Sequence, residues 1–142
     1  MADADIIKAV VALLASDPSI TMQTGTDLYG EELPAEAVAR MPIPAIVVRA
    51  SGGASPLGES DLALDHQRID VMAYGLTPQL ANQLSRYASA RLTATKRRVV
   101  GGVLIHWVNK AGGFFAARDT DGLWPQNFRS FQVLYSTQEI LP

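Results

Sequence analysis

With 142 residues, a mass of 15.3 kDa and 48% apolar content, the chain is sized for one domain over 1–142 that buries its own core without disulfides or metal. The absence of cysteine excludes a disulfide scaffold, a Cys-ligated zinc site and a cysteine nucleophile. A net charge of −2 speaks against a dedicated nucleic-acid binder, and nothing in the composition points to a membrane.

The first predicted element is a helix over 4–15, where Ile6, Val10, Leu13 and Leu14 share a face. Asp3 and Asp5 oppose the helix dipole at its start, and Asp17-Pro18 closes it. Those acids, with Lys8 inside the apolar stretch, also argue against an export signal. No window approaches the roughly 18 uninterrupted apolar residues of a membrane span, so the expectation is a soluble, unexported domain. Residues 19–42 carry no clean period and are punctuated by Gly25, Gly30, Pro34 and Pro42, with room for a short helical turn around Pro34–Ala39. A stretch that long without regular structure is uncommon in a compact domain unless it serves a purpose.

IPAIVVRA at 43–50 reads as a strand with Ile46 and Val48 on one face, and SGGASPLGESDLAL at 51–64 has the composition of a mobile loop. Residues 66–74 set Ile69, Val71 and Ala73 against His66, Arg68 and Asp70, the alternation of a half-buried antiparallel strand. Thr77-Pro78 starts a helix running to about Thr93, with Leu80, Leu84, Ala88 and Leu92 inward. Ala81, Ser85 and Ser89 are small enough to let that helix pack closely on a sheet. A strand over 99–109 places Val103, Ile105 and Trp107 on one face, with a bulge at Gly101-Gly102. GFFAAR at 113–118 and NFRSFQVLYS at 127–136 are the last strands, separated by a turn at Asp119–Gly122. This order predicts an α+β fold: an antiparallel or mixed sheet of four to five strands with two main helices packed on one face.

Charge is divided along the chain. Residues 1–71 hold four bases against eleven acids, a balance of −7, while residues 72–142 hold eight bases against three acids, a balance of +5. No acid lies between Val71 and Arg118, a stretch with seven bases. Such a chain can associate head to tail through complementary fields. Lys96-Arg97-Arg98 is its basic cluster, suited to phosphate or to a partner's carboxylates, with no interleaved aromatics for base stacking.

Chemical motifs fail on inspection. Gly25-Thr-Asp-Leu-Tyr-Gly30 has phosphate-loop spacing, but Glu31-Glu32 stand where Lys and Ser/Thr are needed. Gly53-Ala-Ser55-Pro-Leu-Gly58 resembles a nucleophile elbow with its second glycine one residue late. Asp119-Thr-Asp121-Gly122 echoes a calcium loop without the bidentate acid, and reads better as a hairpin turn. His66 and His106 lack a third convergent group for metal or acid–base work. Trp107 and Trp124 read as packing residues. No catalytic residue, cofactor-binding residue or metal ligand is assigned.

The layout nevertheless resembles a family. An N-terminal helix (Ile6–Leu14) and a proline-flanked strand (Pro42–Arg49) lead into the loop. After it come the strand-to-helix segment His66-Gln-Arg-Ile-Asp-Val-Met-Ala-Tyr74 with Thr77–Leu92, and the last strand Phe128–Tyr135. The pattern is similar to the tail terminator or tail completion proteins of long-tailed bacteriophages and of phage-derived gene transfer agents. It spans most of the chain, although Thr21–Met41 is longer than the family's pattern. The resemblance implies a non-enzymatic virion protein at the tail–neck junction, assembled in the bacterial host cytoplasm. It would form a homohexameric ring on the tail tube, ending tube growth. Its partners would be the major tail tube protein and a head-closure or neck protein, with DNA passing through the lumen as cargo. Lys96, Arg97 and Arg98 are then expected at a subunit contact or the lumen. Gly52, Gly53, Gly58, Glu59, Asp61 and Asp65 are expected in a docking loop. The competing readings are a head-closure or adaptor protein, and a small α+β enzyme or ligand-binding domain using His66, His106 and Asp70.

Overall fold

The computed structural model describes residues 4–51, 64–112, 115–118 and 122–136. Helix α1 (Ile6–Ala15) begins where Asp5 accepts a hydrogen bond from the backbone N–H of Lys8, and buries Ile6, Ala9, Val10, Leu13 and Leu14. Asp17-Pro18 ends it and at once starts another helix, α2 (Pro18–Thr24). Asp17 caps that helix through the Ser19 N–H at 2.9 Å, and Pro18 occupies the first turn. Short elements follow: β1 (Leu28–Gly30), α3 (Ala35–Val38) and β2 (Ala45–Ala50). Thus 19–42, expected to be mostly irregular, holds a helix, a strand and the anticipated turn of helix. Seven- and three-residue elements are too short to leave a period in the sequence.

Strand β3 (Leu64–Tyr74) leads into α4 (Pro78–Thr93), capped by the Thr77 hydroxyl on the Leu80 N–H. Ala81, Leu84, Ser85, Ala88, Ser89 and Leu92 are buried, whereas Leu80 is 40% exposed rather than inward. The segment expected as one strand over 99–109 is a hairpin, β4 (Lys96–Val100) and β5 (Val103–Lys110). Gly101 and Gly102, both at positive φ, form its two-residue turn. The bulge lies further on. The register of β5 shifts between Ile105 and Trp107, so Val103, Ile105 and Val108 point into the core and Trp107 leaves the face expected for it. β6 (Phe115–Arg118) and β7 (Pro125–Ser136) complete the chain of elements.

The sheet runs β1-β2-β3-β7-β5-β4, with β6 also on β7. β1 and β2 are parallel and the other pairs antiparallel. Among the described residues seven strands replace the four to five expected; the additions are β1 and the split at Gly101-Gly102. β7 is the axis: it pairs with all of β3 on one edge, and on the other with β6 near Pro125–Phe128 and β5 near Phe131–Tyr135. One sheet face carries the main core, where α1, α2 and α4 meet Ile46, Val48, Ile69, Val71, Ile105, Phe131 and Val133. Each such large side chain, fully buried, contributes about 1.5–3 kcal/mol. No single described helix is long and apolar enough to cross a membrane.

Candidate interaction surfaces

The charge division of the sequence reappears in part at the sheet edges. β1 and β4 are the two outer strands of the sheet path. Lys96, Arg97 and Arg98 are exposed on β4, with Arg97 at a positive φ of 47°. Charged edge strands blunt uncontrolled strand pairing while leaving a charged rim for a chosen partner. At the other edge, Glu31 and Glu32 follow β1 and Glu36 lies in α3, all exposed. Asp27, just before β1, is held by Arg40 at 2.8 Å and by the Tyr29 hydroxyl at 2.6 Å. The hydrogen bond from Arg40 lowers the Asp27 carboxyl below its ordinary range, and the bond to Asp27 raises the Tyr29 phenol. This triad ties α3 and the chain after it to the sheet.

A second basic feature lies beside α4. Arg86, Ser89, Ala90 and Thr93 of α4 face Lys110 and Arg129 across a groove of about 390 Å³. The Arg129 guanidinium donates from Nε to Ser85 Oγ at 2.7 Å and reaches Asn82 Oδ1 at 3.4 Å. Burial lowers its pKa, and the Arg86 charge lowers it further.

The sheet face opposite the main core carries a second apolar cluster of Ala45, Val47, Met72 and Tyr74, flanked by Tyr29, Leu33, Met41, Ile43, Trp124 and Phe128. Trp124 meets Tyr74 edge to face, with ring centroids 6.5 Å apart. A cleft of about 220 Å³ opens there between Glu32, Leu33 and Val38 on one side and Trp124 on the other, floored by Val47, Met72 and Tyr74. The sequence signal for it was the continuation of the polar face of 66–74 into Met72 and Tyr74.

β3 and β5 do not pair, because β7 lies between them. His66 packs edge-on against Trp107 with ring centroids 5.0 Å apart, and His106 Nε2 sits 3.4 Å from Ser136 Oγ. Asp70 accepts from the Ser130 hydroxyl at 2.7 Å. Among the described residues no three His, Asp or Glu side chains gather as metal ligands would. Of the expected docking loop, Gly52, Gly53, Gly58, Glu59 and Asp61 lie outside the described residues. Leu64 and Asp65 belong to β3 instead, with Asp65 opposite Tyr135 in the register. Its carboxylate and, more strongly, burial raise the Tyr135 phenol.

No family model and no curated protein sequence matches the chain. Solved structures do. A chain from the virion of a native gene transfer agent particle superposes with a TM-score of 0.73 at 13% identity, covering 92% of this chain and 94% of that one. The gp17 protein of bacteriophage SPP1 superposes with a TM-score of 0.50 at 17% identity, covering 95% and 90%. The fold is shared with these two chains.

Proposed function

We propose that this chain is a structural component of a phage-type tail: a tail terminator that forms a six-membered ring on the tail tube, ends its polymerisation and joins it to the neck. The observation that carries this reading is the match of fold over 92% of the chain with a chain of a gene transfer agent virion. The placement of acidic and basic side chains at opposite sheet edges supports it. Such a molecule suits heterologous contacts, which close into rings when the rotation permits. In this reading the partners are further copies of the chain, the major tail tube protein and a head-closure protein. DNA passes through the lumen, the particle's tail–neck junction is the final location, and assembly takes place in the host cytoplasm. Lys96, Arg97 and Arg98 lie at a subunit contact or the lumen, and the segment 51–64 docks onto a neighbour.

The test is native mass spectrometry and negative-stain imaging of the purified chain with and without tail tubes. Sixfold rings, free or capping tube ends, are expected. A chain that neither rings nor caps tubes overturns the reading. Replacing Lys96, Arg97 and Arg98 together by Ser should weaken assembly by roughly tenfold. Added salt should mimic the loss as the screening length falls below about 8 Å. Assembly indifferent to both would remove the cluster from the contact.

A further inference from the structure

We propose that the groove between α4 and the sheet, lined by Arg86, Lys110 and Arg129, is a carboxylate receptor whose occupant is the acidic corner Glu31–Glu32–Glu36 of a second copy of this chain. The inference rests on the ring reading above and names the residues of its subunit contact.

The groove is built from three elements that bring cations together. Arg129 rises from β7 on the side facing α4, as its bond to Ser85 shows. Lys110 ends β5 opposite Phe131, two residues along β7 from Arg129. Arg86 stands on α4, with the small residues Ser89 and Ala90 next along the wall. Ser85 and Asn82 hold the Arg129 head in place, so one of the three cations is pre-oriented and loses little freedom on binding. Burial lowers the Arg129 pKa, and the neighbouring Arg86 charge lowers it further. Arg86 and Lys110 are exposed on the groove wall, and a guanidinium matches a carboxylate in shape as well as charge.

The occupant follows from charge and shape. Among the described residues no aromatic side chain lines the groove, so those residues offer no stacking platform for nucleic-acid bases. The chain's net charge of −2 repels a polyanion at long range. The same chain does present exposed carboxylates beyond β1, where Lys8 and Arg49 are their basic neighbours. Glu31 stands at φ +72°, uncommon for a residue with a side chain. It is fixed by its N–H on the Val48 carbonyl at 2.7 Å and by Arg49 Nε on its own carbonyl at 3.2 Å. Glu32 follows it and Glu36 lies in α3, both exposed. Corner and groove lie on different parts of the fold, the corner beyond the outer strand β1 and the groove over β5 and β7. Contact between copies is therefore heterologous, each molecule giving its corner to one neighbour and its groove to the other.

The test is a charge swap read by sedimentation velocity and native mass spectrometry, in the condition where the wild-type chain assembles. One variant carries Arg86→Glu with Lys110→Glu; another carries Glu31→Lys with Glu32→Lys. All four positions are exposed, and thermal unfolding monitored by circular dichroism verifies that each variant is folded. Each alone should assemble at least roughly tenfold more weakly, since like charges then oppose at the contact. An equimolar mixture should recover assembly, because alternating copies restore opposite charge at every contact of an even-numbered ring. Folded variants that assemble as the wild type does, or a mixture that fails to recover, overturn the groove contact and leave the ring reading standing. A wild-type chain that stays monomeric with and without tubes overturns both. A fluorescent DNA oligonucleotide bound by the wild type and lost in the Arg86→Glu/Lys110→Glu variant, with self-association unchanged, would reassign the groove to nucleic acid.

Discussion

The two faces of the sheet use alternate residues of the same strands, yet they are finished differently. On the helix-covered face, Ile46, Val48, Ile69, Val71, Phe131 and Val133 are at most 1% exposed beneath α1, α2 and α4. On the opposite face, Val47, Met72 and Tyr74 are covered by short pieces of chain around α3 and by Trp124, with a cleft left open between them. The covered face is where stability is concentrated. The open face keeps apolar surface available at some cost in burial. This contrast predicts unequal penalties. Phe131→Ala should cost about 3–5 kcal/mol, as for a large aromatic removed from a closed core. Trp124→Ala, which removes a partly exposed ring, should cost about half of that or less. Urea unfolding of both variants at neutral pH measures the difference. Equal costs would mean that the open face is as tightly built as the closed one.

The same contrast explains what could be read in the sequence. α1, β3, α4 and β7 were legible because each is long enough to repeat its period several times and each presents one face to the main core. The N-cap at Thr77 and the turn at Pro34–Ala39 were legible from local chemistry. What escaped belongs to short or irregular elements. β1 takes its identity from pairing with β2, which no local pattern encodes. The hairpin at Gly101-Gly102 was read as a bulge because valines on both sides continue one apolar run. The bulge beside His106 shifted the period and sent Trp107 to the other face. The charged surfaces were half legible. Lys96–Arg98 is contiguous and visible, whereas Arg86, Lys110 and Arg129 come from three elements and meet only through the fold. The acidic corner was met as a failed phosphate loop, its glutamates noticed for what they exclude rather than for what they offer.

The seam between the two faces supplies a second prediction. Gly75 joins β3 to α4, and a Cβ placed there would lie 2.6 Å from the backbone nitrogen of Ala81 and 3.1 Å from its Cα. Backbone cannot move aside as a flexible side chain can. Gly75→Ala should therefore displace the first turn of α4 and loosen the closed face, costing about 1–3 kcal/mol. A lowered unfolding midpoint in urea checks this. An unchanged midpoint would show that the start of α4 gives way freely, and that the closed face begins only further along the helix.

The smallest expected effect lies on the open face, where the Asp27–Arg40–Tyr29 triad holds the chain after α3 against β1. Arg40 is 51% exposed, so solvent screens the pair and its contribution is modest. Its pH dependence has a definite sign. The hydrogen bond from Arg40 depresses the Asp27 carboxyl in the folded state relative to its ordinary value of 3.8. The stabilisation is therefore fully present above about pH 4 and is lost as pH falls through the depressed value. Tyr29 works at the alkaline end: its raised phenol pKa, relative to 10.0, gives stabilisation present below about pH 10 and lost above it as the phenol ionises. Asp27→Asn should lower stability slightly and by a constant amount across neutral pH, with the gap to the wild type closing as the pH drops below 4. Thermal melts of both proteins from pH 3 to 8 measure that gap. A gap that persists unchanged into acid would mean that Asp27 holds α3 by its shape and hydrogen bonds alone, and that its charge contributes nothing to covering the open face.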